Sequence, residues 1–292
     1  MRPSSLFAGF SAALVSATLL AQQPALPPVA APAAPSVKTA SALSDAEIEQ
    51  FLLKAKIGKT RSTKKGVTGS LQATLSDGKL THDAHIQAID ERKQQFTGAA
   101  GGVEFDFRDS WTFNIAGYKI DRLIGMNTVP VSVARHHGYS EAAFTWWLDD
   151  VMMDEQERLE RKKSKDKSAS AEPPDIEVWN QQMQMVRTFD QLIANIDRNL
   201  GNLMITKDWR LWPIDHTRAF RTNKELKTPA NVTRADRAIV ERMKALDKAT
   251  LTKETGKYLS TFQIDAILAR RDAIVKRLEG LGPNALFDRT GW

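Results

Sequence analysis

The chain has 292 residues, of which 42% are hydrophobic, and its formal net charge is +6 at pH 7. This length and composition are typical of one globular unit with two lobes, and the absence of cysteine excludes a bacterial lipoprotein anchor. The mild basic excess is concentrated in residues 54–65 and 218–227, and no nucleic-acid-binding motif is present, so we expect no nucleic-acid partner.

Residues 1–21 have the pattern of a secretory signal peptide, because one Arg precedes an apolar run that is followed by small residues. The stretch Val15-Ser16-Ala17 fits the small-residue rule for cleavage, and an uncleaved signal anchor is the alternative. Residues 22–43 are rich in Ala and Pro, which predicts an extended linker. We therefore expect an exported protein, periplasmic or extracellular, that contacts a membrane only if the N-terminal anchor is retained.

The region after the linker predicts a small lobe made mainly of strands. Residues 44–53 begin with a Ser-x-x-Glu capping pattern and continue with apolar residues at helical spacing, which predicts a helix. Glycine-containing turns between alternating apolar residues predict a pair of strands next. Further on, the sequence predicts strands at 84–89, 129–133 and 142–148 and a helix at 109–123.

The second half of the chain predicts a mainly helical lobe that contains one β-hairpin. The highly charged residues 155–174 predict a solvated insertion, and 178–196 predict a helix. The hairpin is predicted from an apolar run at 203–205, a polar turn, and an aromatic-rich run at 209–214. Two further helices are predicted, at 234–246 and 261–281.

Three polar residues are placed around this hairpin. Asp197 lies on the loop that leaves the preceding helix, Asn202 comes before the first strand, and Asp215 ends the second strand. A hairpin brings Asn202 close to Asp215, and such a set of groups suits phosphoryl transfer, whose catalysis is mostly positioning and charge neutralisation. Each residue also has an ordinary explanation, because Asp and Asn, such as Asn195 and Asn199, often bond backbone groups in turns. An Asp-Arg pair in a loop is, in addition, often a buried ion pair.

The segments NIDRNLGN (195–202) and LWPIDHTRAF (211–220) resemble the catalytic and metal-binding segments of atypical protein kinases. The similar groups are the HipA-type bacterial kinases, the secretory-pathway kinases and the phosphatidylinositol kinases, and the nearest are uncharacterised exported bacterial members. The match extends more weakly over residues 57–221. The resemblance implies an α+β, two-lobed protein-kinase-like fold, with a small antiparallel-sheet N-lobe at 44–148 and a mainly helical C-lobe at 149–292.

The resemblance also implies roles for the three polar residues. Asp197 is then expected to be the catalytic residue, either as a base or as the group that orients the acceptor hydroxyl. Asn202 and Asp215 are expected to bind Mg²⁺ or Mn²⁺. ATP or another nucleoside triphosphate is expected to be the phosphoryl donor.

The nucleotide-binding part of the N-lobe departs from this family. By its position, the loop with Gly66, Thr68 and Gly69 covers the phosphates, since glycines let backbone amides approach anionic oxygens. The family's strand lysine is replaced by Gln87, and its helix glutamate is replaced by Asn114. We expect these two amides to face the nucleotide and to hydrogen-bond each other where the family has an ion pair.

The spacing of the histidines does not indicate a metal site. His82 and His85 are three residues apart on a predicted strand and would point to opposite faces, so a zinc pair is not expected. For His216, which follows Asp215, we expect an orienting hydrogen bond rather than a catalytic role.

Two hypotheses about function follow. The first is a metal-dependent phosphotransferase that acts from a nucleoside triphosphate on an unknown protein or small-molecule acceptor. The alternative is a catalytically silent, pseudokinase-type binding or scaffold module in the cell envelope. The Asp197, Asn202 and Asp215 set favours the first hypothesis, and the amides at 87 and 114 favour the second.

Overall fold

Seven α-helices and twelve β-strands form the described part of the chain. The computed structural model describes residues 43–63, 70–97, 102–163, 171–195, 198–290 and 292. These all belong to one compact unit, Val37–Trp292. The predicted signal peptide, the linker up to residue 42 and four predicted site residues lie outside the described residues, and these four are Gly66, Thr68, Gly69 and Asp197.

The first lobe is built on a five-stranded antiparallel sheet. Its elements, in chain order, are α1 (Asp45–Lys54), β1 (Lys56–Ser62), β2 (Leu71–Ser76), β3 (Thr81–Gln87), β4 (Asp90–Thr97), β5 (Val103–Ser110), α2 (Thr112–Ile124), β6 (Ser132–His137) and β7 (Ser140–Trp146). The sheet has the order β1-β2-β3-β7-β6, and β4 and β5 form a separate antiparallel hairpin. Helices α1 and α2 both pack against β6 and β7.

The helix predicted at 44–53 is confirmed as α1. The Ser44 hydroxyl accepts a hydrogen bond from the Glu47 backbone N–H, and the Glu47 carboxylate accepts one from the Ser44 backbone N–H. This reciprocal capping box satisfies backbone donors that the first helical turn leaves without partners. The buried residues Ile48, Phe51 and Leu52 face the sheet lobe's core.

The second lobe is mainly helical. Its elements are β8 (Val151–Asp154), α3 (Glu155–Lys163), α4 (Ile176–Leu192), β9 (Leu203–Thr206), β10 (Leu211–Pro213), β11 (Ala235–Asp236), α5 (Arg237–Ala245), α6 (Lys248–Thr255), α7 (Thr261–Leu281) and β12 (Leu286–Phe287). Strands β8, β9 and β10 form a small antiparallel sheet, and β11 pairs with β12 in parallel. The predicted hairpin is confirmed, with Leu211 opposite Ile205 and Pro213 opposite Leu203.

Several predicted boundaries differ from the structure, and the strand predicted at 129–133 is observed as β6, Ser132–His137. The helix predicted from residue 109 begins at Thr112, because Asp109 and Ser110 still belong to β5, which pairs with β4 through the contacts Glu91–Asp109 and Asp90–Ser110. The predicted solvated insertion at 155–174 contains helix α3, whose Arg158 lies inside the lobe.

Arg158 is held by a buried ion pair. Its Nε and Nη2 donate to the two carboxylate oxygens of Glu155 at 2.6 and 2.8 Å, and its Nη1 donates to the Ala171 carbonyl at 3.1 Å. The guanidinium also lies 4.8 Å from the centre of the Trp179 ring. A paired, hydrogen-bonded guanidinium can be buried at low cost, which is why a charged segment forms part of the lobe.

A continuous apolar core connects the two lobes. It contains Ile86 and Phe144 of the sheet, Phe113 of α2, and Phe189 and Ile264 of the helical lobe. Among the described residues, no helix combines the length and apolar character needed to cross a bilayer.

Candidate active site

A cleft of about 590 Å³ lies between the sheet lobe and the hairpin β9–β10. Where the chain passes from β7 to β8, the lining is apolar and aromatic, with Trp146, Trp147 and Leu148 on one element and Met204 and Ile214 on the hairpin. Val129, Pro130 and Val151 add to the apolar lining, and the polar lining includes His85, Gln87, Asn114, Asn202 and Asp215. A cleft with an apolar part and convergent polar groups is the usual form of a small-molecule site.

The hairpin places Asn202 and Asp215 on the same side of this cleft. The Ile214 backbone N–H donates to the Asn202 carbonyl at 3.0 Å, which closes the open end of the β9–β10 ladder. Asp215 follows with a left-handed backbone conformation, at φ 54°. Its Oδ1 accepts a hydrogen bond from the Thr217 hydroxyl at 2.9 Å. The sequence prediction that the hairpin brings Asn202 and Asp215 together is confirmed in geometry, while their role as metal ligands stays a prediction.

Arg198 holds the open end of the hairpin, where the chain enters β9 and leaves β10. Its Nη1 donates to the carbonyl of Ile214 at 2.5 Å and to that of Asn202 at 3.3 Å. Its Nε and Nη2 donate to the carboxylate of Asp190 in α4, at 3.1 Å each. The Arg198 and Asp190 side chains are only 11% and 9% exposed. This is a buried ion pair of the kind that an Asp-Arg loop sequence suggests, and its acid is Asp190 of α4.

Gln87 and Asn114 form the hydrogen bond expected from the sequence. The Asn114 Nδ2 donates to the Gln87 Oε1 at 2.9 Å, and both side chains are buried. The Asn114 Oδ1 accepts a hydrogen bond from the backbone N–H of His216 at 2.8 Å. One amide therefore connects β3 of the sheet lobe, through α2, to the residue that follows Asp215.

Within the part of the chain that the structure describes, the His216 side chain makes no orienting hydrogen bond. Its ring is 1% exposed, lies edge-on to Phe189 with 5.9 Å between ring centres, and its Nε2 has no hydrogen-bond partner within the described residues. Burial, together with the nearby charge of Arg198, lowers the pKa of His216 well below its usual value of 6.5. The orienting contact is made instead by the His216 backbone, to Asn114.

Asp109 adds a second carboxylate beside Asp215. It is 8% exposed, and its Oδ1 is buried and has no hydrogen-bond partner within the part of the chain that the structure describes. Burial raises the pKa of Asp109, the nearby charges of Asp215 and Glu91 raise it further, and a hydrogen bond with Thr217 opposes the rise. A bound cation would neutralise this accumulation of negative charge.

The oxygen donors of Asn202 and Asp215 fit a hard divalent cation such as Mg²⁺ or Mn²⁺. Within the described ranges, no cluster of three or more His, Cys, Asp or Glu side chains is placed to hold a metal ion by itself.

The two histidines of β3 point to opposite faces, as the sequence predicts. The His82 ring stacks on Trp146 with 3.5 Å between ring centres, and its Nε2 lies 3.0 Å from the Asp149 carboxylate. His85 instead lines the cleft. Burial lowers the pKa of His85, and the charge of Asp215 opposes that shift.

The hairpin β4–β5 clasps the segment that follows Asp215. The carboxylate of Glu104 in β5 accepts a hydrogen bond from Arg218 Nη2 at 2.5 Å and forms an ion pair with Arg221. The Arg218 guanidinium also lies 4.4 Å from the centre of the Phe107 ring. These contacts fix the chain just beyond the predicted metal ligand.

Sequence reasoning missed three contributors to the site. His85 carried a usable signal, because alternate residues of a strand share a face and His85 is two residues before Gln87. Asp109 was assigned to a helix, which concealed its approach to Asp215. The pairing of Arg198 with Asp190 carried no local signal beyond the Asp-Arg sequence.

No protein-family model matches the chain, and no curated protein matches it. Among solved structures, hydra Fam20 with sugar is similar with a TM-score of 0.61 at 14% identity, over 84% of this chain and 93% of the other. The Golgi casein kinase with Mn/ADP bound is similar with a TM-score of 0.57 at 13% identity, over 82% of this chain and 76% of the other.

At these identities the likeness concerns the fold alone. It agrees with the small antiparallel sheet lobe, the mainly helical lobe and the cleft between them. The chain therefore has an atypical protein-kinase-like fold.

Proposed function

We propose that the chain is a metal-dependent phosphotransferase that uses ATP or another nucleoside triphosphate. The observation that carries this proposal is the placement of Asn202 and Asp215, which flank one hairpin and line the same cleft. The aromatic lining at Trp146 and Trp147 suits a flat nucleobase. The Golgi casein kinase structure with Mn/ADP supports the same choice of ligand by analogy of fold.

Each residue then has a defined task. Asp197, whose role is assigned from its motif, accepts the proton of the acceptor hydroxyl as that oxygen bonds to the γ-phosphorus. The bond from the γ-phosphorus to the bridging oxygen breaks, and the nucleoside diphosphate is released. Asn202 and Asp215 would hold the divalent cation, which neutralises charge on the phosphates. Arg198 keeps both residues in position through the carbonyls of Asn202 and Ile214. Gly66, Thr68 and Gly69 would cover the phosphates.

The second candidate is a silent binding module in the cell envelope. The observation that favours it is the neutral Gln87–Asn114 pair, which places no positive charge at the position of the family's strand lysine.

The proposal that the protein is exported rests on residues 1–21. Sequencing the N-terminus of the mature protein from fractionated cells would test it, and a cytoplasmic, unprocessed chain would contradict it.

The deciding experiment is thermal melting of the full chain with ATP, ADP or GTP, each with and without Mn²⁺ or Mg²⁺. A ligand at about 100 times its dissociation constant stabilises the native state by about 2.7 kcal/mol, which is a measurable shift. We expect a shift that needs both nucleotide and metal and that is lost in Asp215→Asn. Asn is the suitable replacement because it tolerates the left-handed backbone of this residue and removes only the charge.

Asp272→Ala, an exposed carboxylate on α7, is the matched control and should keep the shift. Transfer of label from ATP labelled at the γ-phosphorus identifies phosphoryl transfer, and transfer from the α-phosphorus identifies nucleotidyl transfer. An absence of any shift with every triphosphate would contradict the enzyme and favour the silent module.

A further inference from the structure

The described residues bring little positive charge to the cleft. Among the described residues that line the cleft, the only Lys or Arg is Arg61, whose side chain is 67% exposed. Its Nε donates to the Gln72 side chain at 3.0 Å, and its Nη2 lies 4.0 Å from the Asp83 carboxylate. Arg61 is thus at the rim of the cleft and already partnered. A hydrogen-bond donor inside the cleft would complement the phosphates of a nucleotide.

His85 is on the strand where that donor is needed. Residues 83, 85 and 87 of β3 share one face, since side chains of a strand alternate, so His85 faces the cleft beside Gln87. β3 is an inner strand of the sheet, and His85 is paired with Gln72 on one side and with Thr145 on the other. The imidazole is therefore carried by a rigid backbone.

The chemistry of the ring fits a phosphate. Within the described residues the His85 ring makes no hydrogen bond, while His82 on the opposite face is bonded to Asp149. A neutral imidazole carries one N–H donor, and it can approach a phosphate oxygen without the desolvation cost of a buried, unpaired ammonium. Asp215 lines the same cleft, and its charge acts on the His85 ring, so both side chains face the space in which a ligand would bind.

We propose that His85 contacts a phosphate group of the bound nucleotide, in place of the lysine that Gln87 replaces. The ligand class is a nucleoside di- or triphosphate. This inference rests on the proposed function, and it assigns His85 to binding of the phosphates rather than of the nucleobase or the acceptor.

The test is calorimetric titration of the full chain with ATP, ADP and adenosine in the presence of Mn²⁺. We expect His85→Ala to weaken ATP binding about tenfold or more, as for the loss of one hydrogen bond to a charged group, and to leave adenosine binding unchanged. His85→Asn retains an N–H donor and should recover part of the affinity. His136→Ala, an exposed histidine on β6, is the matched control and should bind as the wild type does.

The outcomes separate this inference from the proposed function. Wild-type affinity for ATP in both His85 variants, with loss in Asp215→Asn, overturns the inference and leaves the function standing. An equal loss for adenosine and ATP assigns His85 to the nucleobase or to packing and also overturns it. No binding of any nucleotide by the wild type overturns both. Thermal melting of each variant without ligand shows that the fold is retained, and His85→Asn serves if His85→Ala does not fold.

Discussion

The Asn114 side chain donates a hydrogen bond to the Gln87 side chain at 2.9 Å inside the interface between α2 and β3. The same Asn114 amide accepts from the His216 backbone N–H at 2.8 Å, so both of its polar ends are used. The connection between the helix, the strand and the segment of Asp215 is therefore made by two neutral amides.

This neutral connection predicts a strong coupling between the two positions. Gln87→Lys or Asn114→Glu alone buries an unpaired charge and should cost about 3 kcal/mol of unfolding free energy. The double variant restores an ion pair, so its cost should fall below the sum of the single costs by at least about 1 kcal/mol. Urea unfolding of the four proteins measures this coupling. Additive costs would show that the two side chains do not interact, and Gln95→Lys on β4 controls for an added surface lysine.

The brace formed by Arg198 gives a prediction that separates stability from binding. Arg198→Ala leaves the buried Asp190 carboxylate without its main partner and should cost about 3–5 kcal/mol. The double variant Arg198→Met, Asp190→Leu removes both charges and should recover most of that stability.

Binding should not recover in the same double variant, because the Asn202 and Ile214 carbonyls still lack their donor. The measurement is the thermal shift with nucleotide and Mn²⁺, beside the melting temperature without ligand. A double variant with a full nucleotide shift would show that Arg198 serves only the stability of the lobe.

The sequence was most informative where the structure depends on neighbouring residues. Hairpin β9–β10 is encoded by two short apolar runs around a polar turn, so the positions of Asn202 and Asp215 followed from local pattern. Helix α7 was predicted at 261–281 and is observed at Thr261–Leu281, because Ser260 and Gln263 form a capping box at its start.

The features that the sequence did not predict depend on contacts between distant parts of the chain. Strand β4 is exposed along most of its length and has no alternating apolar pattern, so nothing local predicts it. Its hairpin partner β5 is fixed by the contact of Glu104 with Arg218 and Arg221, more than a hundred residues away. The charge accumulated at Asp109 and Asp215 arises from the same long-range packing.

The clasp of Glu104 on Arg218 and Arg221 should control local opening of β4–β5. Glu104→Gln removes the charge from a contact whose three side chains are 24%, 18% and 10% exposed. Amide hydrogen exchange in Asp90–Thr97 and Val103–Ser110 should become about tenfold faster. The reason is that losing one hydrogen bond to a charged group lowers the free energy of local opening. Arg92→Gln breaks the exposed pair with Asp106 and is the control. Equal exchange in Glu104→Gln and the wild type would refute the clasp.

The buried His216 predicts a dependence of stability on pH. Burial, with the nearby charge of Arg198, holds the pKa of His216 well below 6.5 in the folded protein, whereas the unfolded chain takes up a proton near 6.5. The unfolded state therefore binds more protons as the pH falls below 6.5, and this residue's contribution to stability is lost in the acid direction. The loss can reach about 1.4 kcal/mol for each pH unit.

The measurement is the unfolding free energy in urea of the wild type and of His216→Leu, from pH 7.5 down to pH 5. The difference between the two proteins isolates His216, because His85 and the buried carboxyl groups titrate in both. At pH 7.5 the two proteins can also differ in stability because Leu packs differently from His against Gly117 and Phe189. That difference is the same at every pH, so only the change with pH is compared. We expect the wild type to lose more stability than the variant on acidification. Parallel curves would mean that the His216 ring takes up its proton as easily in the folded chain as in the unfolded one.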